Sequence, residues 1–392
     1  MVYLTKGGFW LNANTVITNV FAFILSVFFA KFVSQETYGV YQFVLSVSSI
    51  IGAVTLTGMN TAVIQAVARG FEGVFSKSVK TQIKYSALPL ILGLILSLYY
   101  ALNQNSDISI SLIFVAIFLP LVNALNTWGA FLSGKKEFGE YFKYNQIINL
   151  TYYVGMAVII LVIPNSIFLV AANFILNTLS NYLVYKLILA KYKPNKNYED
   201  EALAFGKKFS FSNILPVIAS NIDNIIIFHF LGAANLAIYA FASNVPDRLG
   251  GLLKPISILA LPKFSQQEPE EIKKNILSKT LKFSFIASAS GILYAILSPF
   301  LFKIFFPAYT ESIFYSQLYT VAVVIGLVGA LPFASLYARR IKQIHIFNTV
   351  YPILNIVALC IGVYFWGIFG VIFAKIFVNT IYLASSLYLN KF

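Results

Sequence analysis

The chain is poor in charge. Of its 392 residues only 11% are Asp, Glu, Lys or Arg, where soluble domains carry about 25%. So little charge cannot clothe a water-facing surface, which excludes an ordinary soluble globular protein. Disorder is excluded from the other direction, because 59% of the residues are hydrophobic and 16% aromatic, with a mean hydropathy of +0.79. Sulfur and imidazole are scarce too. Cys360 stands alone, so no disulfide can form within the chain. His229 and His345 lie far apart without a cysteine beside them, which argues against zinc or haem. The sequence has no nucleophile–base pair, Walker loop or glycine-rich nucleotide fingerprint. It therefore reads as a non-enzyme without a cofactor. Any work it does would draw on an ion gradient, H+ or Na+, or on the gradient of its own substrate.

What is present is apolar runs. Runs near 20 residues, the length of a bilayer crossing, occur at 9–30, 38–67, 85–102, 109–132, 146–163, 167–189, 209–231, 237–262, 283–305, 314–336, 346–365 and 369–389. The first is too long for a signal peptide and reads as a span. The separators alternate. Asn103 to Ile108, Pro164 to Ser166, Gly232 to Leu236 and Trp366-Gly367 are short and nearly uncharged, whereas 69–84, 133–145, 186–208, 263–282 and 337–345 are basic. With both termini assigned to the basic side, that side holds 23 of the 28 Lys and Arg. The positive-inside rule then puts both termini and the basic loops in the cytoplasm. The net charge of +14 is thus mainly a topology signal, met by anionic lipid headgroups and not by nucleic acid.

The fold expected is an all-α integral membrane protein of twelve transmembrane helices. Residues 1–190 and 209–392 would each form a six-helix bundle, joined by a cytoplasmic linker at 191–208. The halves also match locally. Ala30 to Tyr41 and Phe228 to Tyr239 both end a span, turn and begin the next, 198 positions apart. Six helices per half is an even number, so the repeats insert in parallel, a recurring transporter plan with the substrate route at their interface.

Four stretches carry a resemblance. They are Lys31 to Tyr41 with Tyr38-Gly39-Val40-Tyr41; Thr57-Gly58-Met59-Asn60 with Ala68-Arg69; Asn221-Ile222-Asp223 running on to Gly232 and Ile238-Tyr239-Ala240; and Leu261-Pro262. With the span count, they make the chain resemble the polysaccharide-transporter, O-antigen flippase (Wzx-type) branch of the multidrug/oligosaccharidyl-lipid/polysaccharide (MOP) exporter superfamily. The resemblance implies a MATE-like fold in the bacterial cytoplasmic (inner) membrane. It also implies translocation of an undecaprenyl-diphosphate-linked oligosaccharide to the outer leaflet, and as partners the lipid-linked substrate, membrane lipids and polysaccharide polymerase or chain-length proteins. Cation-coupled multidrug antiporters of the superfamily share twelve helices and stand as the rival. Lipid II flippases would be expected to have two more.

Ionisable residues inside spans are costly and usually face an interior or water. Those here are Asp223 and His229 in the seventh span, Asp247, Arg248 and Lys254 in the eighth, and Lys375 in the twelfth. Asp223 and Arg248 fall at comparable depths and could pair. Pro246, Gly250-Gly251 and Pro255 would bend the eighth span. Asp247 and Lys254, seven apart, share a face of it. Arg248, Lys254 and Lys375 are the candidates to hold a diphosphate, with Asp247 and Asn221 beside them. An internal salt-bridge cluster is the alternative. Asp223 is a candidate coupling-ion or salt-bridge site. His229 reads either as a satisfied interfacial histidine or as a gate or proton carrier. Asn12, Asn14 and Asn19 of the first span could line a sugar path or bond between helices.

Overall fold

The structure is a computed structural model that describes residues 2–266, 269–337 and 341–391, with side chains described at 7–251, 275–336, 347 and 349–390. Every regular element among them is helical. This is what a bilayer demands, because a helix satisfies its backbone polar groups internally. The chain divides into two compact units, Met1–Asn221 and Ile222–Phe392.

The first unit contains α1 (Val2–Phe32), α2 (Gln35–Gly52), α3 (Met59–Ala68), α4 (Gly73–Lys84), α5 (Ala87–Leu102), α6 (Ser106–Leu125), α7 (Thr127–Gly134), α8 (Phe138–Val162), α9 (Ser166–Tyr192) and α10 (Asp200–Ser212). Helix α11 (Ile214–Leu231) carries the chain across the boundary. The second unit continues with α12 (Ala233–Gln266), α13 (Pro269–Phe305), α14 (Ser312–Tyr337) and α15 (Ile341–Lys391).

Nine helical segments among the described residues are long and apolar enough to cross a membrane. One of them, Thr349–Asn390, folds back on itself. Gly367 has φ 58° and ψ −137°, a conformation open to glycine and strained for other residues. Gly362 and Gly370 meet so closely that a Cβ on either would overlap the other's carbonyl. In a straight helix, residues eight apart are about 12 Å distant. Helix α15 is therefore an antiparallel hairpin, and the Tyr351 hydroxyl donates across it to the Ile381 carbonyl at 3.3 Å. The turn falls at the separator expected from the sequence.

The connections of the first unit sort to two ends. At one end Arg69 pairs with Glu199 (2.6 Å), Lys135 with Glu72 (2.5 Å) and Lys191 with Glu140 (2.6 Å). At another connection, distant in sequence, Ser166 donates to Asp107 (3.0 Å) and Asn165 caps α9. Alternation along the sequence has become separation in space.

Two segments read as basic loops are partly helical. Within 69–84 only 69–72 is non-helical, and α4 is amphipathic. It buries Val74, Phe75 and Val79 and exposes Lys80 and Lys84. It runs through Tyr85-Ser86 into α5 as one apolar segment, Gly73–Leu102. Within 191–208 the irregular stretch is 193–199, and α10 follows. That stretch is strapped to the first unit. Gly73 N–H donates to the Asn197 carbonyl (2.8 Å), and the Asn195 amide donates to Glu72 (3.0 Å). Partial burial pushes Glu72 up, but the Lys135 ammonium and the Asn195 N–H outweigh it and hold the carboxyl below the usual carboxylate range. Helix α10 then lies on α3. Gly58 N–H donates to Ser210 Oγ (3.0 Å), and a Cβ at Gly58 would stand 2.6 Å from the Ser210 backbone nitrogen.

The run 38–67, read as one span, breaks after Gly52. Residues 53–58 form turns, with buried Leu56 at φ +60°. Beneath the break the core of this unit stacks Phe75 on Phe131 (4.7 Å between centroids) beside buried Trp128, whose indole N–H donates to Asn181 (2.8 Å).

In the second unit α14 is tied to α12 by Ser312 Oγ donating to the Ile238 carbonyl (2.9 Å), and to α15 by Asn379 donating to the Ala322 carbonyl (2.8 Å). Helix α12 runs helical through Pro246 and Gly250-Gly251.

Candidate functional site: a buried charge cluster in the second unit

Four helices of the second unit bring ionisable and hydroxyl groups to one place. Helix α11 contributes Asp223, α12 contributes Tyr239 and Asp247, α14 contributes Tyr319, and α15 contributes Lys375. Asp223 is buried at 5% exposure. Its Oδ2 accepts from Lys375 Nζ at 2.6 Å and from the Tyr239 hydroxyl at 2.6 Å. Its Oδ1 is buried with no hydrogen-bond partner. Lys375 Nζ also stands 5.9 Å from the Tyr239 ring centroid and 5.4 Å from that of Tyr319. The two rings meet edge to face at 5.9 Å. The Tyr319 hydroxyl bridges both carboxylate oxygens of Asp247 at 3.2 Å each.

Local sequence explains the convergence. Asp223 and Tyr239 flank the tight connection at Gly232, which has φ +89°, so they return at similar depth on neighbouring helices. Tyr239 is 1% exposed and Tyr319 is 6% exposed. Their rings form a buried wall beside the ion pair. Asp247, in contrast, is exposed. The cluster thus has a dry side, Asp223 with Lys375, and a side open to the surroundings at Asp247. A buried charge persists when it is paired and hydrogen-bonded, and Lys375 meets that condition.

The sequence-derived candidates distribute as follows. Asp223, Asp247 and Lys375 come together. Asp223 pairs with Lys375, on α15, where the sequence depths suggested Arg248. Arg248 is half-buried on α12. Asn221 bonds along its own helix, donating to the Val217 carbonyl at 2.9 Å. His229 is exposed, with Nδ1 3.1 Å from the Ile225 carbonyl. The side chain of Lys254 lies outside the described residues. Of the first-span asparagines, Asn14 accepts from Gln146 at 2.8 Å. Sequence reasoning missed Tyr239 and Tyr319. With 24 tyrosines in the chain composition singles none out. The one available signal was that Tyr239 sits on the far side of the same turn as Asp223.

The fold is that of the MOP transporters. It matches a MATE-family multidrug resistance transporter of that superfamily in its outward-facing form (TM-score 0.64, 12% identity, 98% of this chain and 94% of the other) and in its inward-facing form (TM-score 0.66, 12% identity, 95% and 94%). It also matches the lipid II flippase MurJ in an inward closed conformation (TM-score 0.59, 16% identity, 97% and 87%). Residues 4–268 match the family described as "Polysaccharide biosynthesis protein", and the chain belongs to that family. A relative from Shigella flexneri, named "Putative O-antigen transporter", is 23% identical over 327 residues, 77% of each chain. The chain is a multi-pass membrane protein of polysaccharide biosynthesis.

Proposed function

We propose that the protein is a flippase of the bacterial inner membrane. It carries an undecaprenyl-diphosphate-linked oligosaccharide, an O-antigen, capsule or exopolysaccharide repeat unit, from the cytoplasmic to the outer leaflet. Family membership together with the O-antigen-transporter name of the relative carries this reading. Twelve passes in two six-helix halves, with the basic loops and both termini cytoplasmic, would work by alternating access. The protein would be a transporter and not an enzyme, its partners being the lipid-linked substrate, surrounding lipids and, downstream, the polymerase and chain-length proteins.

The charge cluster suggests how transport is driven. Lys375 is held by Asp223. A coupling ion that competes for Asp223, where Oδ1 lacks a partner, would loosen the hold on the ammonium and free Lys375 to meet an anion. Arg248 would offer bidentate bonds to the diphosphate. Proton flow and substrate movement would thus meet at one residue pair, with Na+ as the alternative ion.

Two carboxylates in the cluster and the MATE-like fold favour a second reading, a cation-coupled drug antiporter. Deletion of the gene separates them. The flippase reading expects loss of surface polysaccharide and lipid-linked oligosaccharide trapped on the cytoplasmic leaflet, restored by the wild-type gene. Normal polysaccharide with altered drug sensitivity would overturn it in favour of the antiporter.

A further inference from the structure

The first unit holds a recess of about 370 Å³ at its basic end, between the start of α1 and the turn from α7 into α8. One glycine permits the close approach: a Cβ at Gly7 would stand 2.7 Å from the Phe138 ring, while one at Gly139 would meet the Trp10 indole at an ordinary contact distance of 3.6 Å. The helix starts therefore approach closely, and Trp10 is propped against Phe142 at 5.0 Å between centroids. One wall is aromatic, Trp10 and Phe138. The other is polar, Lys136, Glu137 and Glu140. Glu140 is engaged by Lys191 at 2.6 Å. The Glu137 carboxylate is exposed and makes no ion pair among the described residues. The Trp10 indole N–H finds no acceptor among them either.

Inward of the recess, α1 and α8 are joined by a neutral polar ladder. Trp10, Asn14 and Thr18 recur every four residues on one face of α1. Opposite them on α8, Gln146 donates to Asn14 (2.8 Å) and Asn149 donates to Thr18 (2.8 Å). Deeper still, Phe21 stacks on Tyr153 at 5.5 Å. From Trp10 to Phe21 the ladder climbs about 16 Å at 1.5 Å per residue. Its rungs carry no charge. Gln146 Oε1 is buried there without a hydrogen-bond partner.

We infer that this recess is a binding site for the glycan of the substrate. A sugar ring presents an apolar C–H face and a rim of hydroxyls. An indole wall facing a carboxylate matches both, the ring packing on the aromatic face and two hydroxyls donating to Glu137. Among the described side chains the polar wall carries no net positive charge, Lys136 and Lys191 standing against Glu137 and Glu140, so it offers a diphosphate or an anionic headgroup no advantage over a neutral glycan. A volume of this size falls within the range of small-ligand pockets. The inference rests on the flippase reading for the identity of the glycan, but the binding it asserts does not.

The test uses the full purified chain carrying Trp366→Phe, which removes the exposed reporter and leaves Trp10 and buried Trp128. The probes are chitotriose, maltotriose and a galactose-containing trisaccharide, none with lipid or phosphate, followed by emission and by calorimetry. At least one is expected to give saturable binding. Glu137→Gln, a substitution at an exposed side chain, is expected to weaken it tenfold or more with the elution profile unchanged, and Trp10→Leu is expected to abolish the calorimetric signal. Saturation by none of the three overturns the inference, as does binding unaffected by both variants. Preferential saturation by pyrophosphate or by short-chain phosphatidylglycerol, in place of sugar, overturns it and identifies an anion or lipid site. Sugar binding in a protein whose deletion leaves polysaccharide intact would remove the flippase reading and keep the site. A failed site beside a lost polysaccharide would do the reverse.

Discussion

Replacing Lys375 with Met tests whether the buried pair is as interlocked as its geometry indicates. At 2.6 Å the attraction between unit charges is about 6 kcal/mol at an effective dielectric constant of about 20. Desolvation costs several kcal/mol per ion, so the pair as a whole contributes little net stability. Removing one partner is different. Lys375→Met keeps the side-chain length but leaves Asp223 buried with only the Tyr239 hydroxyl, its Oδ1 already without a partner. The expected loss is about 3–5 kcal/mol. At about 2–4 °C per kcal/mol for a unit of this size, the melting midpoint in detergent should fall by roughly 6–20 °C. Asp223→Asn should cost a similar amount by stranding the ammonium. The double variant Asp223→Asn/Lys375→Met should recover most of the loss, giving a coupling energy of about 3 kcal/mol. Single variants that melt within about 2 °C of the wild type, or a double variant no better than the worse single, would refute the reasoning.

Three further outcomes are expected. Gly58→Ala drives a methyl to 2.6 Å from the Ser210 nitrogen and should cost about 1–3 kcal/mol by overpacking, read as faster protease cleavage within 193–199. Because the Glu72 carboxyl is held below the usual carboxylate range, its grip on the linker is complete above that range and is lost as pH falls through the lower folded value. The protection of the Asn195 amide, its exchange rate taken against the intrinsic rate at each pH, should therefore fall on acidification, and Glu72→Gln should remove that pH dependence. Asn181→Leu strands the buried Trp128 indole N–H and should lower stability by about 1–3 kcal/mol, measured as a melting shift that Trp128→Phe in the same background partly reverses.

Much of the frame was legible because hydrocarbon imposes a simple rule. Long apolar runs had to be helices, and in the first unit the basic separators meet one another through ion pairs. The reading failed where mean hydropathy hides a period. Lys77, Lys80 and Lys84 made the stretch before α5 look like a loop, although Val74, Phe75 and Val79 already carried the spacing of an amphipathic helix. The break after Gly52 carried no sequence signal distinct from an ordinary glycine. In the charge cluster the participants Asp223, Asp247 and Lys375 were visible as costly groups inside spans. Their pairing was not, because depth along a helix fixes height and says nothing about which of several helices stands alongside. Lys375 is 152 residues from Asp223 in sequence, and only packing of α11, α12, α14 and α15 brings it there. The tyrosines that complete the cluster were hidden by abundance.

The contact of Gly362 with Gly370 has a meaning for the protein's history. Each backbone occupies the volume that a side chain on the other would need. The two positions therefore behave as a single locus. No sequence can leave glycine at one of them and keep this reversal without moving the whole arm of the hairpin, so there is no neutral first step away from it. The last hairpin is held by atoms that are not there, while its exposed neighbours Ile361 and Phe369 carry no such steric constraint.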